Sequence, residues 1–410
     1  MATGPRLEAR PEPRRPTASR DAPGALILGA EYRALGVARS LGRHGIRVGV
    51  VQDGDDTIAS QSRYVERSMR FPESDEARLE LLAALALDGL EGWTLFPSGD
   101  ETAALVARNH RRLAEAFVLT TPPWDVFRWA YDKRLTYRLA ASLGLDTPST
   151  WYASGTDDLE RLDLAFPAIL KPAVKTSFNR LTAAKAWQVD SRAELNARFA
   201  EACELIDPDE LMIQELVAGG GEDQFSYAAL CDEGEVLADI VARRTRQFPP
   251  DFGRASTFVE SFDAPEIVEP SQQLLREMRF DGLIEVEFKR DSDNRKYQLL
   301  DANPRVWGWH TLGAPAGVDF AYLAWRHANG RAVQPARGRP GMRWVRLSTD
   351  LPTSVKEILG GRLSARAYAR SLIGNVEGAI FARDDPVPGL LEAPLMVRTL
   401  VRRLARGNGV

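Results

Sequence analysis

A chain of 410 residues, 44% hydrophobic and 27% charged, can bury two or three cores of ordinary domain size, so a globular multidomain protein is expected. A net charge of −4 supplies no electrostatic footprint for nucleic acid, which needs a clustered basic face, and that partner is excluded. Two cysteines, Cys203 and Cys231, are too few for a disulfide framework or a zinc site, and no apolar run is long enough for stable membrane insertion; a cytoplasmic protein with buried thiols is the expectation.

Residues 1–23 are rich in Pro and Arg without an apolar stretch, which predicts a disordered leader and not a secretory signal. Ordered structure is predicted to begin at Ala25-Leu26-Ile27-Leu28-Gly29, followed by a helical period through Leu35, Ala38 and Leu41 and a strand over 46–51. This βαβ opening lacks the second and third glycines of a dinucleotide fingerprint after Gly29, which disfavours a nicotinamide or flavin. Another parallel strand is expected over 93–97, with the loop Ser98-Gly99-Asp100-Glu101 at its carboxyl end, where open α/β sheets place ligands.

A continuous helix is predicted over 124–143 and stops at Gly144. Short strands then alternate with one helix near 192–205, a small α+β unit. Beyond a helix from Glu269, strands over 283–290 and 297–303 flank the turn Asp291-Ser292-Asp293-Asn294.

That last pair carries the most informative residues. Residues two apart in a strand share a face, so Glu285 and Glu287 point together, as do Asp301 and Asn303. A hairpin centred on Asn294 sets Glu287 opposite Asp301, gathering two carboxylates and an amide oxygen for one hard cation. A solvent-facing hairpin with ordinary surface charge is the plainer alternative. Lys171 ends an apolar strand, where its ammonium needs an anion, and Lys133 on the preceding helix can join it, although a solvated helix face explains Lys133 by itself. The strand Leu211-Met212-Ile213-Gln214-Glu215-Leu216-Val217 runs into Gly219-Gly220-Gly221-Glu222, a hydrophobic wall with free backbone groups that suits a planar base, or simply a loop between strands.

The order Asp132-Lys133, Lys171-Pro172, Gln214-Glu215 with its glycine turn, Glu287, then Asp301-Ala302-Asn303-Pro304-Arg305 resembles the ATP-grasp superfamily over roughly residues 25–330. Within it the chain looks most like carboxylate-amine ligases related to D-aspartate ligase. The resemblance implies an α/β and α+β architecture: a Rossmann-like pre-ATP-grasp domain over 24–122 and an ATP-grasp domain over 123–335, with lobes at about 150–218 and 219–335. Residues 336–410 follow as a mostly helical extension whose basic end packs on the protein itself. It further implies ATP and Mg2+ (or Mn2+) as cofactors. Lys133 and Lys171 would bind phosphates, Gln214 with the backbone at Glu215 to Val217 would face adenine, and Glu222 would hold ribose. Glu287, Asp301 and Asn303 would bind metal, and Arg305 with Lys171 would act in catalysis.

The chain departs from many relatives in having no glycine over Ala173 to Arg180, so Lys175, Thr176, Ser177 and Arg180 are offered as side-chain donors to phosphate. The expected reaction is ATP-dependent joining of a carboxylate to an amine through an acyl phosphate. Bicarbonate activation of the carboxylase or carbamoyl-phosphate kind, and a non-catalytic ATP-binding regulatory module, are the alternatives. Arg244 and Arg246 offer guanidinium forks to a carboxylate, Asp100 a partner for an amine, and His310 follows the metal strand; a solvated arginine face and a tryptophan core are the plainer readings of those segments. The expected partners are small carboxylates and amines of amino-acid or peptide kind, with a homodimer left open.

Overall fold

The computed structural model describes residues 23–174, 186–248 and 255–405, with side chains to residue 396. All of the expected leader but Pro23 lies outside the described residues, as do Lys175, Thr176, Ser177 and Arg180.

The first sheet comprises β1 (Ala25–Leu28), β2 (Val48–Gln52), β3 (Val65–Arg70), β4 (Thr94–Pro97) and β5 (Val118–Leu119). All are parallel, in the order β3-β2-β1-β4-β5. Apolar side chains occupy both faces of β1, as a covered parallel strand requires: Ala25 and Ile27 join Ala34, Val37 and Ala38, while Leu26 and Leu28 join Leu82, Leu95 and Leu105. The strand order reverses between β1 and β4, so the loops after these two strands meet. Gly29 allows the meeting: its φ is +137°, and a Cβ there would stand 1.9 Å from Ser98 Oγ. Tyr32, Arg33, Gly99 and Asp100 consequently line one crevice.

The helix expected over 124–143 is two helices, Trp124–Tyr131 and Lys133–Ser142. Asp132 between them is extended, at φ −100° and ψ 112°, and its carboxylate accepts from the Arg134 backbone N–H as an N-cap. Asp competes with helix propagation by making this local bond, which ends one helix and starts the next with Lys133 at its first position.

A second, antiparallel sheet follows from β6 (Thr150–Trp151), β7 (Ala168–Pro172), β8 (Trp187–Val189) and β9 (Leu211–Glu215), ordered β6-β9-β7-β8. The helix Arg192–Cys203 packs Leu195, Phe199 and Ala202 with Ala168, Leu170 and Ile213 of this sheet.

The third sheet begins with β10 (Gln224–Asp232), β11 (Glu235–Phe248), β12 (Ala255–Ser261), β13 (Gly282–Arg290) and β14 (Tyr297–Asn303). It continues with β15 (Ala336–Arg337), β16 (Arg343–Val345) and β17 (Val376–Gly378). The order is β14-β13-β10-β11-β12-β16-β17, with β15 beside β11. One face meets the first sheet's helix Tyr32–Arg43 through Trp307, Trp309, Phe320 and Trp325; the other packs Tyr227, Ile284 and Val286 on the helix Val268–Met278. Trp307 and Trp309 are both buried, and Trp309 also lines the cavity described below. The extension read as mostly helical does hold helices Leu347–Leu359, Ala365–Ser371 and Val387–Ala405, but it also contributes three strands of two or three residues, too short to show a period. No helix among the described residues is long and apolar enough to cross a membrane.

Adjacent aspartates fasten the extension to the helix Tyr32–Arg43. Asp385, fully buried, accepts from Arg39 Nε at 2.9 Å, Ser62 Oγ at 2.7 Å and the Arg63 backbone N–H at 3.0 Å. Asp384, 41% exposed at its side chain, pairs with Arg43 Nε at 2.8 Å. Removing one partner of a buried pair strands the other charge, so Asp385→Ala should lower unfolding free energy by about 3–5 kcal/mol. Asp384→Ala should cost less, about 1–2 kcal/mol, because solvent screens its bidentate pair with Arg43 while the bond from the Tyr64 hydroxyl is also lost; urea titration of the two variants measures the contrast.

Candidate active site

A cavity of about 480 Å³ opens where the three sheets converge. On its floor β13 and β14 are in the expected register, Glu287 opposite Asp301 and Glu285 opposite Asn303. One extra residue on β14 sets that register: Phe288 pairs with Leu299, and the bulge passes over Leu300 before Asp301 meets Glu287.

The acidic floor is bound to donors from elsewhere. Asn303 Nδ2 donates to Glu285 Oε2 at 3.2 Å and to Glu287 Oε1 at 3.0 Å. Trp309 Nε1 donates to Glu285 Oε1 at 2.8 Å. Arg244 Nη2 stands 3.4 Å from Glu287 Oε1, and Lys133 Nζ 3.4 Å from Asp301 Oδ1. Burial pushes the Glu285 carboxyl up, and the neighbouring Glu287 pushes the same way against Arg244 and Arg305.

Two carboxylates and an amide, buried together on a cavity wall, are the oxygen-rich donor set a hard divalent cation takes. The Asn303 amide directs N–H at both glutamates, and a half-turn of that group presents its oxygen instead. The residues present fit Mg2+ or Mn2+, with Glu287, Asp301 and Asn303 to hold it. A second group, Asp232, Asp281 and His327, brings ligand atoms within 4.8 Å of one another away from the cavity. There the hydrogen bond to Asp281 raises the His327 pKa.

At the other end of the cavity Lys171 Nζ donates to Gln214 Oε1 at 2.7 Å, and Gln214 Nε2 donates in turn to Thr150 Oγ1 at 2.9 Å. Gln214 thus holds the lysine head as well as lining the wall with Ile169, Leu216, Val217 and Leu300; Glu215 joins them and accepts from the Ser149 backbone N–H at 3.3 Å. Lys289 also lines the cavity, donating to the Gly219 carbonyl at 2.7 Å. It continues the face of Glu285 and Glu287 by the same period of two, a signal the sequence offered.

On the first-sheet side Arg305 is held in bidentate fashion by Asp100, Nε to Oδ1 at 2.9 Å and Nη2 to Oδ2 at 3.2 Å. Burial opposes the guanidinium charge, but Asp100, by charge and hydrogen bond, raises the Arg305 pKa overall. Tyr32 and Arg33 share this wall and went unnoticed in the sequence; their place in the first βα turn, at a strand's carboxyl end, was the available signal.

Three expected site residues lie off the cavity. Arg246 shares a strand with Arg244, yet the register slips between them on β11, so the alternation reverses. Its guanidinium grips Asp350 at 2.8 Å through both Nε and Nη2. His310 sits in a short 3₁₀ turn facing the helix Tyr32–Arg43, with Nε2 3.1 Å from the Arg33 carbonyl. That oxygen only accepts, so Nε2 carries the proton, and burial lowers the His310 pKa to about 4. Glu222 lies beyond the glycine turn, where its backbone carbonyl accepts from Arg243 Nε at 2.8 Å, and its residue is not among those lining the cavity.

Residues 207–349 match a family model described as ATP-grasp in the biosynthetic pathway with Ter operon. Over 269 residues the chain is 22% identical to the carbamoyl phosphate synthase large chain, C-terminal section, of Methanopyrus kandleri, covering 60% of this chain and 48% of that protein. The chain therefore spans about half the length of this curated relative. The L-amino acid ligase from Bacillus licheniformis superposes with a TM-score of 0.57 and 17% identity, over 76% of this chain and 75% of that one. The biotin carboxylase domain of the Hydrogenobacter thermophilus 2-oxoglutarate carboxylase, in complex with MgADP, ADP and bicarbonate, gives a TM-score of 0.61 and 16% identity, over 78% and 73%. Identity this low carries the fold and not the reaction. Residues 207–349 thus carry the match to an ATP-grasp family model, and the fold of the chain is shared with the ligase and the carboxylase domain.

Proposed function

We propose that the chain is an ATP-dependent carboxylate-amine ligase that forms an amide through an acyl phosphate, releasing ADP and phosphate. The supporting observation is that one cavity gathers the acidic pair of β13 and β14 with cationic side chains, Lys133, Lys171, Arg244 and Arg305 among them. A carboxylate oxygen attacks the γ-phosphorus as ADP leaves, and an amine nitrogen then attacks the acyl carbon, expels phosphate and gives up its proton. Each step moves negative charge among oxygens, so fixed cations and excluded water do most of the protein's share. Lys133 and Lys171 bind the phosphates of ATP, the backbone of Glu215 to Val217 takes the adenine edge, and Arg305 steadies the acyl phosphate. Arg244 faces the carboxylate substrate. Glu287, Asp301 and Asn303 would hold a divalent cation, which would supply positive charge to the phosphates.

A second reading has bicarbonate as the activated carboxylate, and the relationship to a carbamoyl phosphate synthase and a bicarbonate-bound carboxylase domain is the observation in its favour. Mg2+-dependent ADP release, measured across a matrix of amino acids, short peptides, simple carboxylates and bicarbonate, separates the two. Release that requires both an organic carboxylate and an amine is expected; release with bicarbonate alone would replace the ligase reading. Glu287→Ala and Lys171→Ala should each lower kcat by about 100-fold or more with the fold intact by circular dichroism, in the range seen when a charge-stabilising group is removed.

The buried acid pair also sets a pH signature in metal-free protein. The Glu285 pKa is raised in the folded state, so its contribution to stability is complete below the unfolded carboxyl pKa and is lost as pH rises through the folded value. Glu285→Gln cannot titrate, so in chelator its melting temperature should exceed that of the unmodified protein increasingly from acidic to alkaline pH. An advantage that instead grows toward acid would show that Glu285 is stabilised as the anion.

A further inference from the structure

The helix Leu347–Leu359 is amphipathic in the inverted sense. It buries Asp350, Thr353 and Ser354. Asp350 takes Arg246 through both oxygens and Thr257 Oγ1 at 2.8 Å, which fixes the polar face inward. Toward water it presents Leu347 and Leu351, each 51% exposed, Val355 at 45% and Leu359 at 84%. Residues four apart are neighbours on a helix surface, so the four side chains form one continuous row about 18 Å long. Single exposed leucines need no explanation, but such a row leaves on the order of 400 Å² of contiguous apolar surface in water, typical of a contact site.

We propose that this row is the interface with a second copy of the chain, the two helices packing antiparallel about a two-fold axis near Thr353. A row at spacing four is the ridge that interdigitates with an identical ridge in the commonest class of helix packing, and a two-fold axis lets one surface serve both copies. Leu347 and Leu359 stand equally far from Thr353, as do Leu351 and Val355, so Leu347 of each copy meets Leu359 of the other. Two rows bury roughly 800 Å² of apolar surface, and their polar flanks bring the contact to about 1,200 Å², where specific interfaces begin. Charge favours this occupant. Asp350 points inward and Glu357 is held by Arg362 at 2.7 Å, so neither carboxylate sets an unpaired charge beside the row. The chain's net charge of −4 works against the other flat occupant of an apolar row, an anionic bilayer.

The inference rests on the fold and not on the proposed reaction, and its test needs no turnover. Light scattering on the full chain should give twice the monomer mass, and Leu351→Asp with Val355→Asp should halve it while circular dichroism stays unchanged. Leu87→Asp, at a side chain 92% exposed elsewhere, should leave the dimer intact. In a Cys203→Ser background, with Cys231 buried, chains carrying Leu347→Cys mixed with chains carrying Leu359→Cys should cross-link on mild oxidation more than either alone. A monomer at every concentration, a dimer that survives the double substitution, or cosedimentation with phosphatidylglycerol vesicles that the double substitution abolishes would overturn the proposal.

Discussion

Burying like charges together is the constraint on which the rest of the structure depends. Glu285 and Glu287 share a strand face, Asp301 stands across from Glu287, and all three line one cavity. Carboxylates out of water must be compensated, and the third sheet that carries them supplies only part of this, through the charge of Arg244 and hydrogen bonds from the Asn303 amide. Lys133 comes from a helix that starts only because Asp132 breaks the one before it. Trp309 donates from the core, so the same ring that fills the apolar layer also fixes Glu285. Fold and site are in this sense one electrostatic problem, solved by bringing separate segments to one point.

The strands of the third sheet divide labour by local irregularity. The slip in register on β11 sends Arg244 to the cavity and Arg246 to Asp350, so one strand both lines the site and anchors the extension that follows residue 335. A bulge on β14 does the corresponding service for Asp301. Regular alternation would have placed both arginines on one face and misaligned the carboxylates; a single extra residue in each strand changes which side chains meet.

Those irregularities also mark what the sequence could express. The acidic register was legible because period two and the turn residues after Arg290 locate Glu287 against Asp301 even without knowledge of the bulge. The βαβ opening and the strand ending at Lys171 were legible for the same reason, since apolar runs and glycine punctuation are local signals. Arg246 and His310 were misplaced because their directions are set by a slipped register and a 3₁₀ turn, neither of which leaves a compositional trace. The break at Asp132 was hidden by a helical period that runs straight through it, and strands of two or three residues in the extension have no period to read.

The pairing of Asp100 with Arg305 ties the first sheet to this chemistry. Arg305 follows directly from the metal-side strand, while Asp100 opens a helix at the carboxyl end of β4, so their two hydrogen bonds join the first sheet to the third at the cavity. A carboxylate already occupies the fork of the guanidinium, in the geometry a substrate carboxylate or acyl phosphate would adopt. Any anion that uses that fork must displace Asp100 or share Arg305 with it, and either outcome couples substrate arrival to the contact between the first and third sheets.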